Sequence, residues 1–98
     1  MRFTIPPDHP SLPGHFPGRP VVPGVVLLER VVAALEAAQG PLPALCLPQV
    51  KFVQPLLPGE VADIELTPVD AAAPPRWRFR VRRGATLLAS GEVGVAAP

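Results

Sequence analysis

Residues 24–39, GVVLLERVVAALEAAQ, are apolar at nearly every position, with polar side chains confined to Glu29, Arg30, Glu36 and Gln39. At about 100° per residue, Leu27, Leu28, Val31, Val32, Ala34, Leu35 and Ala38 fill one half of a helical wheel, and Val26, Ala33 and Ala37 make most of the other half apolar too. The pattern predicts a helix over 24–39, enclosed on all sides, with Gly40 and Pro41 as its stop signal. The rest of the chain has mostly a two-residue period. Residues 1–5 (MRFTI) read as a short strand closed by Pro6 and Pro7. Residues 45–53 read as a strand broken near Pro48. Residues 61–67 alternate Ala62, Ile64 and Leu66 with Asp63, Glu65 and Thr67, and residues 76–82 alternate strictly. Arg83 and Gly84 suit a hairpin turn returning the chain through a strand at 87–95. Residues 55–59 and 71–75 are connecting loops. One buried helix with four or five strands predicts an α+β domain, an antiparallel sheet wrapped around a central helix.

Composition narrows the classes. A chain of 98 residues suits a single domain over 1–98. Nine Lys/Arg against eight Asp/Glu give a net charge of +1, which argues against a nucleic-acid partner and leaves any basic function local. Hydrophobic residues reach 48% while charged ones are only 17%, too little polar surface for a small monomer, so burial against a second subunit is expected. The single cysteine, Cys46, excludes an intrachain disulfide and fits a reducing compartment. MRFTIPPDHP has no basic segment followed by a long apolar run, and no apolar stretch is long enough for a bilayer, so a soluble cytoplasmic protein without membrane insertion is expected. The prolines act as punctuation: Pro10, Pro13, Pro17, Pro20 and Pro23 fix φ repeatedly and predict an ordered, non-helical loop over 8–24.

Three features converge where that loop meets the helix. His15 sits between Gly14 and Phe16 in a stiffened backbone, and an imidazole titrates close to neutral pH, which suits proton transfer. Taken alone it reads equally as a hydrogen-bonded loop histidine. Glu29, in the second turn of the helix, has no basic residue at i±3 or i±4. It is either a carboxylate on a narrow polar edge shared with Glu36 or a buried functional acid. The helix also begins at Pro23 and Gly24 without Ser, Thr, Asp or Asn to cap it, so its first N–H groups are available to a ligand oxygen, water or a loop carbonyl. Gly24, lacking a Cβ, would let a carbonyl approach closely. A base, an acid and an oxyanion site are the minimum set for abstracting a proton alpha to a carbonyl.

The stretch HFPGRPVVPGV (15–25), followed by LLE (27–29), resembles the signature of the beta-hydroxyacyl-carrier-protein dehydratases of the FabA/FabZ type, whose fold is the hotdog. VKFVQPLLPGE (50–60) resembles the family's strand and Pro-Gly turn after the central helix. The resemblance implies removal of water from a 3-hydroxyacyl thioester to give the trans-2-enoyl product, with no cofactor beyond the phosphopantetheine of a carrier protein, or coenzyme A, that presents the substrate. It places His15 at the catalytic histidine position and Glu29 at the helical acid position. His15 would then remove the C2 proton, Glu29 would protonate the departing hydroxyl, and the Gly24 amide would polarise the thioester carbonyl. Phe16, Pro23, Val25 and Leu28 would line the substrate tunnel. Family sites form between subunits, His15 of one chain facing Glu29 of the other, which implies a homodimer or a higher oligomer built from it. Ala33 stands where the family often has Gln, the chain is shorter than the fatty-acid-synthesis members, and it contains no tyrosine for an aromatic gate. These departures favour a specialised acyl chain of the kind handled by the aryl-polyene thioester dehydratases.

Other readings stay beside this one. A hotdog thioesterase would also use a helical carboxylate, and two PxxP motifs, at 17–20 and 20–23, suit a non-catalytic interaction module. Arg76, Arg78, Arg80 and Arg82 share one strand face opposite Trp77, Phe79 and Val81. They form either a solvated face or a docking surface for an acidic acyl carrier protein. His9, His15 and Cys46 lack zinc spacing, so no metal is expected, and neither Ser11 nor Ser90 lies in a nucleophile motif.

Overall fold

The computed structural model describes residues 1–8 and 21–96. Its elements run β1 (Arg2–Thr4), α1 (Gly24–Gln39), β2 (Leu45–Phe52), β3 (Val61–Pro68), β4 (Arg76–Arg83) and β5 (Thr86–Val95). The strands form one antiparallel sheet in the order β1-β3-β4-β5-β2. The predicted α+β arrangement is therefore present. The loop expected over 8–24 falls largely outside the described residues.

β4 shows how the pattern becomes packing. Trp77, Phe79 and Val81 point into the core while Arg76, Arg78 and Arg80 face outward, as strict alternation requires. The hairpin to β5 closes through two residues between the paired Arg83 and Thr86. Gly84 takes a φ of 57° there, a conformation that costs glycine nothing and that suits the first central position of such a turn. The interruption expected near Pro48 is a register shift between Cys46 and Gln49 within a continuous β2. Proline cannot donate to a ladder, and β2 is an edge strand bonded only to β5, so Pro48 is accommodated there.

The helix buries Val26, Leu27, Val31, Ala34 and Leu35 against the inner sheet face, in one cluster with Ile64, Phe79, Leu88 and Val93. Each large side chain buried this way contributes about 1.5–3 kcal/mol. Gly40, with a φ of 82°, ends the helix and returns its N–H to the Glu36 carbonyl at 2.8 Å. The expectation of a helix enclosed all round is not met by the single chain. A five-stranded sheet covers only one side, leaving Val25 61% exposed and Ala33, Ala37 and Ala38 also at the surface. No helix among the described residues is long and apolar enough to cross a membrane.

Candidate active site

The N-terminus of α1 is the organising feature. Pro23 is its N-cap, and the Pro23 carbonyl accepts from Val26 N–H at 3.0 Å and Leu27 N–H at 3.4 Å. No side chain caps the helix and its first turn has no acidic residue. Among the described residues, Gly24 N–H and Val25 N–H find no acceptor, the uncapped state the sequence predicts.

These amides border a cleft of about 330 Å³ between Pro23, Gly24 and Leu27 on one side and Phe52, Gln54 and Leu56 on the other. Phe52 lies flat against Gly24: a Cβ at that glycine would stand 2.6 Å from the ring Cζ. The space left by the missing Cβ is thus filled by an aromatic ring, which gives Gly24 a packing reason separate from any ligand. Phe52 itself is 52% exposed and walls the cleft. The residue falls within the strand expected over 45–53, where the sequence assigns it no role at the site. Its signal was the alternation of β2, in which Val50 and Phe52 share one face and Lys51 takes the other.

The loop after β2 is held at several points. Val53 N–H and Gln54 N–H donate to the Leu88 carbonyl at 2.8 and 3.2 Å, and Val22 N–H donates to the Leu56 carbonyl at 2.8 Å. Glu60 Oε1 accepts from Leu57 N–H at 2.8 Å and from Arg83 Nη1 at 2.9 Å, and the same Nη1 donates to the Pro55 carbonyl at 3.1 Å. The Leu57 amide, assisted by Arg83 and opposed by partial burial, holds the Glu60 carboxyl below its ordinary range. Its contribution to stability is therefore present above the ordinary carboxylate pKa and lost as pH falls through the lowered one.

A second concavity, about 380 Å³, opens on the uncovered side of the helix, lined by Val25, Leu28, Glu29, Val32, Glu36 and Leu47. Glu29 is exposed in the single chain, so the buried acid weighed from the sequence would require a further covering surface. Pro23 and Gly24 thus line the cleft, whereas Val25, Leu28 and Glu29 line the groove one turn on. His15 and Phe16 lie outside the described residues.

On the outer face of the sheet the four arginines do not act alike. Arg78 Nε lies 3.9 Å from Glu92 Oε1, and Arg82 Nε lies 2.9 Å from Glu65 Oε1. Among the described residues, Arg76 and Arg80 have no ion-pair partner. The ladder pairs both Lys51 and Arg80 with Ser90, which sets a lysine and an arginine on either side of a serine across three strands.

Compared with known proteins, residues 1–92 match the profile of the ApeI-like family, described as ApeI dehydratase. The chain belongs to this ApeI-like dehydratase family. Curated relatives of this family member include a 3-hydroxyacyl-[acyl-carrier-protein] dehydratase FabZ of Magnetococcus marinus, 31% identical over 92% of this chain and 62% of the relative. Another FabZ, from Nitrobacter winogradskyi, is 26% identical over 89% of this chain and 65% of its own. The ApeI-like chain spans less than two thirds of the length of these relatives. Among solved structures, the dehydratase heterocomplex ApeI:P from Xenorhabdus doucetiae superimposes with a TM-score of 0.75 at 20% identity, covering 98% of this chain and 84% of that one. A mutant of the fluoroacetyl-CoA-specific thioesterase FlK gives 0.71 at 16% identity, over 96% and 85%. At these identities the likeness is one of fold, and the fold is the hotdog.

Proposed function

We propose that this ApeI-like chain dehydrates a 3-hydroxyacyl thioester to the trans-2-enoyl thioester. The observation that carries the reading is a helix whose uncapped amides at Gly24 border one apolar cleft and whose carboxylate Glu29, a turn and a half along, lines the neighbouring apolar groove. His15 takes the proton from C2, the electron pair forms the C2–C3 double bond, and the hydroxyl leaves C3 as water with a proton from Glu29. The Gly24 N–H, aided by the helix dipole, stabilises the negative charge that develops on the thioester oxygen. No cofactor takes part. Substrate arrives on the phosphopantetheine of a carrier protein or on coenzyme A, and a specialised acyl chain of the aryl-polyene kind is the favoured class.

The uncovered groove supports a second subunit. Val25 and Leu47, 61% and 37% exposed, flank Glu29 there, and covering them with another copy of the chain would desolvate the carboxylate and bring in the partner's His15. The Xenorhabdus doucetiae relative is described as part of a dehydratase heterocomplex, so light scattering on the purified protein separates the cases. A dimer supports self-association, and a monomer points to a second dehydratase chain of different sequence.

The test is a mass spectrum of the products from a panel of carrier-bound 3-hydroxyacyl thioesters. Loss of water with the thioester intact is expected. Free thiol without an enoyl product would instead favour hydrolysis, the activity named for FlK. For the carrier, the docking surface narrows from the arginine strand to Arg76 and Arg80, with Lys51 across Ser90 from Arg80, because Arg78 and Arg82 already form ion pairs with carboxylates. Lys51→Glu combined with Arg80→Glu should weaken carrier binding about tenfold at low salt and flatten its salt dependence. Unchanged binding by titration calorimetry would remove this face from the account.

A further inference from the structure

Among the described residues, the loop behind Gly24 is tied to the sheet by one charged contact. Arg83, the last residue of β4, holds Glu60 at 2.9 Å and the Pro55 carbonyl at 3.1 Å, and Glu60 in turn accepts Leu57 N–H at 2.8 Å. Leu57 N–H belongs to the same peptide group as the Leu56 carbonyl, and that carbonyl accepts Val22 N–H at 2.8 Å. A peptide group is planar and turns as one body, so fixing its N–H fixes its C=O. The orientation that Glu60 imposes on one side of the plane is therefore transmitted to Val22 on the other. Val22 is 4% exposed and is followed directly by Pro23, the N-cap, and Gly24. The Val22 and Leu57 bonds run in one direction, from amide to carbonyl and on through the peptide plane from amide to carboxylate, so each polarises the next. The Arg83 guanidinium donates to the same carboxylate oxygen.

We propose that Glu60 and Arg83 are positioning residues that set the Gly24 end of α1 through the Leu56-Leu57 peptide plane. This inference rests on the reading of Gly24 N–H as the donor to the thioester oxygen. Neither residue touches the reacting atoms. Their role is to hold the amide where the charge develops, and a displacement well under 1 Å at such a donor suffices to slow the reaction.

Glu60→Ala and Glu60→Gln separate positioning from bulk stability, because glutamine keeps an oxygen for Leu57 N–H and alanine does not. Glu60→Ala should lower kcat about tenfold with KM within about twofold, and Glu60→Gln should recover most of that loss. Hydrogen exchange at the Val22 amide supplies a readout independent of activity. It should quicken about tenfold in Glu60→Ala while Val31, inside the helix, exchanges as before. A folded Glu60→Ala protein with wild-type kcat, or with unchanged exchange at Val22, would overturn the proposal. If the unmodified protein dehydrates none of the thioesters, the dehydratase reading fails by itself and exchange at Val22 still decides whether the tether exists. Should Glu60→Ala not fold, Arg83→Gln is measured in the same two ways, with the same directions expected and the same null results overturning it.

Discussion

Glu29→Gln is expected to lower turnover of a 3-hydroxyacyl thioester by at least about a hundredfold, and His15→Ala by a similar factor. Glutamine preserves the size and the hydrogen-bonding oxygen of Glu29 but cannot deliver a proton to the leaving hydroxyl, so the loss falls on the chemical step. Folding should be unaffected. Glu29 is exposed in the single chain and makes no hydrogen bond or ion pair among the described residues, so its replacement removes no contact that holds the chain's own fold, and circular dichroism should be unchanged. Enoyl thioester formation, followed by absorbance on purified protein, provides the measurement. Full activity in either variant would reject the role assigned to that residue.

The largest stability effect is expected at Gly91, in the middle of β5. A Cβ there would collide with the Gln49 carbonyl of β2 on one side and stand 2.9 Å from the Phe79 ring on the other. Phe79 is only 1% exposed and the Gln49 carbonyl is main chain, so neither can step aside without moving a strand. Gly91→Ala should therefore cost about 3 kcal/mol, at the upper end of overpacking effects, read as a lower urea midpoint. Ser90→Ala, next in sequence but on the outer face, should stay within about 0.5 kcal/mol of the parent. Because β2 carries Phe52, Gly91→Ala should also disturb the ring seated on Gly24. A loss below about 1 kcal/mol would mean that β2 is free to shift on β5, contrary to the packing described.

Regular elements were the most legible part of the chain. Apolar spacing marked α1, and alternation marked β3 and β4, because a side chain's face follows from its position along a helix or strand. The core followed with them: Trp77, Phe79 and Val81 were on the inner side of β4 by period alone. What the pattern could not show was how much of α1 a single sheet can cover. The helix is apolar nearly all round, yet one sheet occupies only one side and leaves Val25 and Ala33 at the surface, which depends on how many strands the chain has and not on the local period. The site was legible in part. The missing cap at Pro23 is a residue-type argument and holds in three dimensions. Phe52 against Gly24, and Glu60 with Arg83, depend on contacts between segments 23 to 28 positions apart, which no local period encodes. The arginine strand shows the same limit: alternation puts the four side chains on one face, but only the side-chain contacts distinguish Arg78 and Arg82, which reach Glu92 and Glu65, from Arg80, although the ladder sets Glu65 opposite Arg80.

The central claim is a dehydratase site completed by two chains, and mixing inactive variants tests it most directly. Equal amounts of His15→Ala and Glu29→Gln protein, unfolded and refolded together, should give mixed dimers with one intact site in two and recover about a quarter of the parent activity. Activity that stays at the level of the separate variants, although mass spectrometry shows that mixed dimers have formed, would contradict a site shared between subunits.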